Sequence, residues 1–133
     1  MAKGREIHEG RVATLSLFGK DLARRAKSRC ELCESAGESL SIFEVPPVPR
    51  EPDFGRCLLL CEQCREQVEE PKKFRAGEHW RFLAGQAWSE LGMVQIVAIR
   101  LLRRQADSQA WARDALGELY LDEEIESLVT EAP

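Results

Sequence analysis

The stretch that decides the fold runs from Arg29 to Cys64, RCELCESAGESLSIFEVPPVPREPDFGRCLLLCEQC, and holds all five cysteines of the 133-residue chain. Four of the cysteines form two C-x2-C pairs, and 27 residues separate the pairs. Two residues between paired cysteines let one tight turn direct both thiolates at a single ion, and two such pairs complete a tetrahedral shell. We therefore predict one structural Zn²⁺ bound by Cys30, Cys33, Cys61 and Cys64.

A closed shell of four cysteines leaves no coordination position for water or substrate, so such a site stabilises a fold and does not catalyse a reaction. The alternative for these pairs is a redox dithiol, but neither pair has the βαβ context of a thioredoxin-like unit. The fifth cysteine, Cys57, lies in a predicted strand. A buried thiol is its ordinary explanation, and an alternative metal ligand or a redox sensor remains open.

The hydrophobic pattern outside the cysteine pairs is mainly helical. It predicts a first helix over 5–28, two short strands at 39–45 and 56–60 around a proline-rich loop, and a helix opened by the second pair that ends at Pro71. Further helices are predicted at 78–91, 93–105, 109–120 and 123–130.

Within these helices the pattern also predicts which individual residues are buried, solvated or helix-capping. Trp80 and Trp88 fall on the apolar stripe of 78–91, so both are expected in the core. The helix 93–105 is so apolar that we expect it to be central, with Arg100, Arg103 and Arg104 on its only solvated side. Two residues are expected as helix caps, Ser108 for 109–120 and Asp122 for 123–130.

The predicted fold class is mainly α with a small β-hairpin, combining a treble-clef-like zinc finger with a helical bundle. We expect a single domain over 1–133, in which an N-terminal helix (1–29) precedes the zinc finger (30–70) and the helical part (71–133) follows it. No apolar run approaches the roughly 20 residues that span a bilayer, and the N-terminus has no apolar signal region. A cytoplasmic protein without a membrane partner is expected, where cysteines stay reduced.

Charge is distributed unevenly although the net charge is −4. Residues 1–30 carry eight basic and three acidic side chains, whereas 107–133 carry one basic and eight acidic ones. Two solvated faces of opposite sign would explain this, and so would an anion-binding or partner-binding surface next to the first cysteine pair. The candidate contact residues of that surface are Arg24, Arg25, Lys27 and Arg29.

The order of knuckle, strand, loop, strand and a second pair opening a helix resembles the HNH nuclease unit. In that unit the first strand ends in histidines, and a further His or Asn follows on the helix. Here the strand ends in Ile42-Phe43-Glu44-Val45, and Arg65 follows the last cysteine. One carboxylate without a general base makes a poor nuclease, so the resemblance implies a catalytically dead unit.

The segments CELC, LSIFEVPP, LLLCEQCREQVEEPKK, EHWRFL, AWSE, VQIVAIRLLRR and GELYLDEE together resemble the PhnA-like proteins, named after an alkylphosphonate-utilisation operon. The resemblance covers roughly 22–126 and implies a bacterial protein with a zinc-binding N-terminal segment. Many members have glycine where this chain has Glu34, and many continue into a small C-terminal β domain, whose function is not carried over to a sequence that stops at Pro133.

The function expected from the sequence is that of a non-enzymatic zinc module that acts as an accessory or interaction protein with an unidentified macromolecular partner. Nucleic-acid binding through the basic residues before Cys30 is one alternative. A phosphonate-related accessory or hydrolytic role is another. No Gly-x-Ser-x-Gly nucleophile motif and no glycine-rich phosphate loop occurs in the sequence.

Overall fold

The chain is described over residues 2–133 by a computed structural model, with side chains from residue 4 onward. Six α-helices and one two-stranded antiparallel hairpin form the fold, which confirms the mainly helical class with a small hairpin. Short 3₁₀ turns occur at Phe54–Arg56, Pro71–Lys73 and Glu78–Trp80. In chain order the elements are α1 Ala2–Ala26, β1 Leu40–Glu44, β2 Cys57–Cys61, α2 Glu62–Glu69, α3 Leu83–Gln86, α4 Gly92–Gln105, α5 Ala110–Gly117 and α6 Glu123–Thr130.

Helix α1 ends in a Schellman motif that contains no glycine. The Ser28 N–H donates to the Ala23 carbonyl at 3.0 Å, and the Lys27 N–H donates to the Arg24 carbonyl at 3.3 Å. Lys27 has φ 55°, the left-handed conformation that glycine usually supplies at this position. The motif turns the chain sharply out of the helix and directly into the first cysteine pair.

The hairpin is buried on both faces, which explains the continuous apolar sequence of β2. Its register pairs Leu40 with Cys61 and Glu44 with Cys57. Because side chains alternate along a strand, Leu58 and Leu60 enter the main core, while Cys57 and Leu59 pack against α1. The hairpin therefore joins the first helix to the rest of the molecule.

Helix α4 lies at the centre of the helical part and packs against α3, α5 and α6. Nine of its fourteen residues are buried, which confirms the prediction of a central helix. Its apolar side chains share one core with those of the cysteine-containing segment 30–70, including Leu32, Leu58 and Leu60. The shared core accords with a single domain, which stays a prediction.

The prediction that Arg100 is solvated is wrong, since it is only 5% exposed. Its guanidinium donates to the carbonyls of Pro46 at 2.7 Å, Leu128 at 2.7 Å and Val129 at 3.1 Å. The last two carbonyls belong to the last turn of α6, where the negative end of the helix dipole attracts a cation. Arg100 thus connects α4 to α6 and to the loop between the strands.

The two neighbouring arginines differ in their surroundings. Arg103 is exposed and forms an ion pair with Glu126 at 2.7 Å. Arg104 is half-buried and donates to the Gln67 carbonyl at 2.8 Å and the Val68 carbonyl at 2.9 Å in the last turn of α2. Only Arg103 therefore meets the expectation of a solvated side chain.

The predicted helix over 78–91 is wrong in its extent. The segment contains a 3₁₀ turn and the four-residue α3, with i→i+3 hydrogen bonds such as Ala84 N–H to the Arg81 carbonyl. Such bonds advance the chain by about 120° per residue instead of 100°, so they rotate later side chains off an α-helical stripe. Trp80 is accordingly buried, while Trp88 is 57% exposed and lies outside the core.

One of the two predicted helix caps is confirmed. The Asp122 carboxylate accepts the Ile125 N–H at 2.8 Å at the start of α6. The prediction for α5 is wrong because the N-cap is Gln109. Ser108 instead belongs to the end of α4, where its N–H donates to the Gln105 carbonyl at 3.2 Å.

Within the residues that the structure describes, no helix has the length and apolar character needed to cross a membrane.

Replacing Arg100 tests its role as a buried connector. We expect Arg100→Met to lower the free energy of unfolding by about 3 kcal/mol, because the buried carbonyls lose their donors. The matched control Arg103→Met should lower it by no more than about 0.5 kcal/mol, since that ion pair is exposed. Urea unfolding followed by circular dichroism measures both, and equal losses would contradict the assigned role.

Candidate metal centre

Cys30 and Cys33 lie on a closed turn between α1 and β1. The Glu34 N–H donates to the Cys30 carbonyl at 2.8 Å, and the Cys30 N–H donates to the Ser35 carbonyl at 3.1 Å. A bridge between Arg29 and Ala36 closes the turn at its base. The backbone therefore holds both thiols of the first pair on one side of the turn.

Cys61 and Cys64 lie where the hairpin passes into α2. Cys61 is the last residue of β2 and the N-cap of α2, and Cys64 is in the first turn of that helix. Two contacts tie the first pair to this strand: the Glu31 N–H donates to the Leu59 carbonyl at 2.8 Å, and the Leu59 N–H donates to the Glu31 carboxylate at 2.9 Å. These contacts bring the two cysteine pairs together.

The four Sγ atoms lie within 4.8 Å of one another, and this group could hold a metal ion. The Cys33 and Cys61 Sγ atoms are 3.8 Å apart. A tetrahedral Zn²⁺ with Zn–S bonds of about 2.3 Å has S–S edges of about 3.8 Å, so this pair already has the spacing of one edge. Cys33 is half-buried, and the other three are buried: Cys30, Cys61 and Cys64.

The electrostatics of the cluster favour a bound cation. A hydrogen bond from the Cys64 thiol lowers the pKa of Cys30 to about 4, and the same contact raises the pKa of Cys64. Burial raises the pKa of Cys61. One thiol of the cluster therefore ionises readily. Ionising a second thiol within 4.8 Å of the first thiolate needs a nearby positive charge, which a metal ion supplies.

Two polar side chains support the first pair from outside the group of four sulfurs. The Cys33 thiol donates to the Ser35 hydroxyl at 3.1 Å. The Gln86 side chain donates to the Leu32 carbonyl at 2.6 Å and the Glu31 carbonyl at 3.3 Å, so α3 clamps the turn that carries both thiols. Such contacts orient metal ligands. No spacing rule in the sequence points to Gln86, because it lies more than 50 residues away from the turn.

Cys57 lies apart from the four-cysteine cluster, on the face of β2 that packs against α1. It is buried beside Leu22, and its thiol donates to the Asp53 carbonyl at 3.3 Å. Burial raises the pKa of Cys57 to about 11, so it stays protonated near neutral pH. Its environment agrees with an ordinary buried thiol.

The candidate contact residues before Cys30 differ in their availability. Arg25 donates to both carboxylate oxygens of Glu31, at 2.9 and 2.8 Å, and to the Cys57 carbonyl. These hydrogen bonds hold the Arg25 side chain inside the fold, so it is not available to contact a partner. Lys27 and Arg29 are exposed, and Arg24 is exposed beside Asp21 at 3.7 Å.

Glu44, the carboxylate at the end of β1, is bound to Arg11 of α1. Arg11 donates to both of its carboxylate oxygens and also to the Pro49 and Arg50 carbonyls of the loop between the strands. The hydrogen bond with Glu44 raises the pKa of Arg11. Glu44 is therefore committed to a structural ion pair.

Comparisons with protein-family models, with curated proteins and with solved structures find no match.

The turn of the first cysteine pair contains a strained position that can be relieved. Glu34 has φ 64°, a conformation that costs a residue with a Cβ atom about 1 kcal/mol and costs glycine little. We expect Glu34→Gly to raise the free energy of unfolding by about 0.5 kcal/mol. The gain is smaller than the strain relieved because glycine increases the conformational entropy of the unfolded chain. The control Glu38→Gly should not stabilise. Thermal unfolding of the zinc-loaded variants measures the difference, and destabilisation by Glu34→Gly would contradict the prediction.

The ion pair between Arg11 and Glu44 predicts coupled effects of substitution. Arg11→Met and Glu44→Gln should each destabilise the protein, and the double variant should lose less than the sum of the two. A double-mutant cycle from urea unfolding measures this coupling. Strictly additive losses would show that the pair contributes nothing to holding α1 against the loop.

Proposed function

We propose that this chain is a non-enzymatic zinc-binding module of the PhnA-like family, in which Cys30, Cys33, Cys61 and Cys64 hold one structural Zn²⁺. The observation that carries the proposal is the convergence of four Sγ atoms within 4.8 Å. Four thiolates in tetrahedral reach favour zinc over the hard cations, which prefer oxygen ligands. Bound zinc would cross-link the turn after α1 to the start of α2.

A structural role is favoured over a catalytic one by the composition of the cluster. Four cysteines complete the shell, and in the described residues no histidine or carboxylate joins them as a further ligand group. A complete shell gives zinc no position at which to activate water. The ion pair of Glu44 also argues against nuclease chemistry at the strand end.

The treble-clef type and the family remain parts of this proposal. The order of turn, hairpin and helix, with one cysteine pair on the turn and the other at the helix start, supports the treble-clef-like description. The left-handed conformation of Glu34 supports the family resemblance, because many members carry glycine there. The module would act as an accessory or interaction protein.

A phosphonate-related role has weaker support, because it needs a cluster of available cations. Arg56 donates to the Val45 and Pro47 carbonyls, and Arg65 donates to Ser41 and Glu69. Together with Arg25, these arginines are used inside the fold. Arg25, Arg56 and Arg65 therefore do not form a group of available cations for a small anion.

Nucleic-acid binding is the second candidate function, and a specific observation favours it. Lys27 and Arg29 project from the turn beside the cysteine cluster, exposed and without an ion pair in the described part of the chain. Exposed cations on a rigid turn suit contacts with phosphates. This candidate predicts binding that weakens steeply with salt.

Removing one cysteine tests the zinc proposal. We expect purified protein to contain one zinc per chain and Cys61→Ser to lose it during dialysis against a weak chelator. Loss of the metal should lower the melting temperature by more than about 10 °C, since metal-binding energy contributes to folding. Elemental analysis and thermal unfolding measure the two effects.

Cys57→Ala is the matched control, because it removes a buried thiol that lies outside the cluster. It should retain one zinc per chain and lose only the 1–2 kcal/mol typical of a small cavity. A Cys61→Ser protein with wild-type zinc content and melting temperature would overturn the four-cysteine assignment.

A further inference from the structure

Four neighbouring concavities lie around the cysteine cluster, and each shares lining residues with the next. Their volumes are about 310, 350, 420 and 840 Å³, in order along the surface. The first and second share Glu34 and Gln86, and the second and third share Cys33 and Phe82. The third and fourth share Gln67 and Arg75. We call this surface the cluster groove.

One end of the cluster groove is lined by Lys27 and Arg29. Both side chains are exposed, whereas the neighbouring Arg25 is held by Glu31. The two cations lie on the turn that the Schellman motif and the bridge between Arg29 and Ala36 hold in place. This end therefore presents two available cations on a well-defined backbone.

The other end is lined by Lys72, Lys73 and Arg75, which the sequence pattern did not single out. All three are exposed and form no ion pair in the part of the chain that the structure describes. Their backbone is fixed: the Gln67 side chain accepts the Arg75 N–H at 2.6 Å, and the Trp80 indole donates to the Arg75 carbonyl at 2.8 Å. Three cations are thus displayed from a rigid segment.

The middle of the cluster groove differs from its ends, because Leu32, Phe82 and Gly85 line it together with Cys33. His79 and Trp80 continue this lining towards the second end, with ring centroids 5.4 Å apart. His79 is exposed and Phe82 is half-buried, and both residues line the third concavity. Aromatic surface between two cationic ends suits flat bases between phosphates.

The charge balance of the cluster groove favours an anionic occupant. Of the carboxylates lining it, Glu31 is paired with Arg25 and Glu69 with Arg65. Five cations then face three other carboxylates, although the chain as a whole has a net charge of −4. None of the eight acidic residues of 107–133 lines the groove. The three carboxylates of the groove other than Glu31 and Glu69 are Glu34, Glu66 and Glu70.

We propose that the cluster groove binds single-stranded nucleic acid, with phosphates on the cations at its two ends and bases along Phe82 and His79. This inference rests on the second candidate function and specifies it, because it adds Lys72, Lys73 and Arg75 to the contact and selects unpaired strands. A base pair would hide the flat faces that the middle of the groove accommodates. The zinc shell would hold the wall formed by the first cysteine pair.

The test uses the full chain, verified as zinc-loaded, with fluorescent single-stranded and duplex oligonucleotides of the same sequence across a salt series. Single strands should bind more tightly than duplex. Neutralising Lys72, Lys73 and Arg75 to Gln should weaken binding and reduce the slope of log K against log salt by up to about 2, at 0.7 per phosphate contact. Lys27→Gln with Arg29→Gln should reduce it by up to about 1.4.

The matched control neutralises three exposed cations outside the groove, Arg5, Lys20 and Arg50, with the same change in net charge. It should leave affinity and slope unchanged. An equal loss in the control would overturn the inference, because binding would then follow overall charge. Tighter binding of duplex, or equally tight binding of a polyglutamate peptide, would also overturn it.

The inference and the functions on which it rests can fail separately. If the Lys27 and Arg29 substitutions alone weaken binding, the nucleic-acid candidate stands and the groove assignment falls. If no oligonucleotide binds even at low salt, both fall. The zinc proposal is unaffected by either result, because zinc content and the Cys61→Ser variant decide it.

Discussion

Four thiols converge between the turn after α1 and the start of α2, and they join the two segments that flank the hairpin. The hairpin has only two five-residue strands, and an isolated two-stranded hairpin is marginally stable in water. Here the hairpin is held at both ends: the cysteine cluster fixes Cys61 at one, and the Arg11–Glu44 pair fixes the other. The turn of Cys30 and Cys33 lies beside Cys61 and is tied to β2 by the hydrogen bonds between Glu31 and Leu59.

The hairpin packs against helices on both of its faces and so joins the cysteine cluster to the rest of the molecule. On one face of β2, Leu58 and Leu60 pack in the core around α4. On the other face, Cys57 and Leu59 pack against α1. Arg100 then connects α4 with both the loop between the strands and the end of α6. The cysteine cluster and the helices are therefore linked through shared packing.

Sequence reasoning predicted what depends on local spacing. The cysteine pairs, both strands, the central helix and the Asp122 cap follow from periodicity and cap chemistry within a few residues. It failed where distant partners decide the outcome. The sequence around Arg100 predicts a solvated side chain, but the end of α6 covers it in the fold. Trp88 lies outside the core because 3₁₀ hydrogen bonds rotate it off the apolar stripe. The clamp by Gln86 likewise joins residues more than 50 positions apart.

Zinc K-edge X-ray absorption on the purified chain, together with its metal stoichiometry, decides whether the four thiols form a closed shell around one ion. The account predicts one zinc per chain surrounded by four sulfur atoms at about 2.3 Å, with no nitrogen or oxygen neighbour in the shell. A protein that folds stably without metal, or a zinc with oxygen or nitrogen in its shell, would contradict a closed structural site. An open shell would also restore catalysis as a function to be considered.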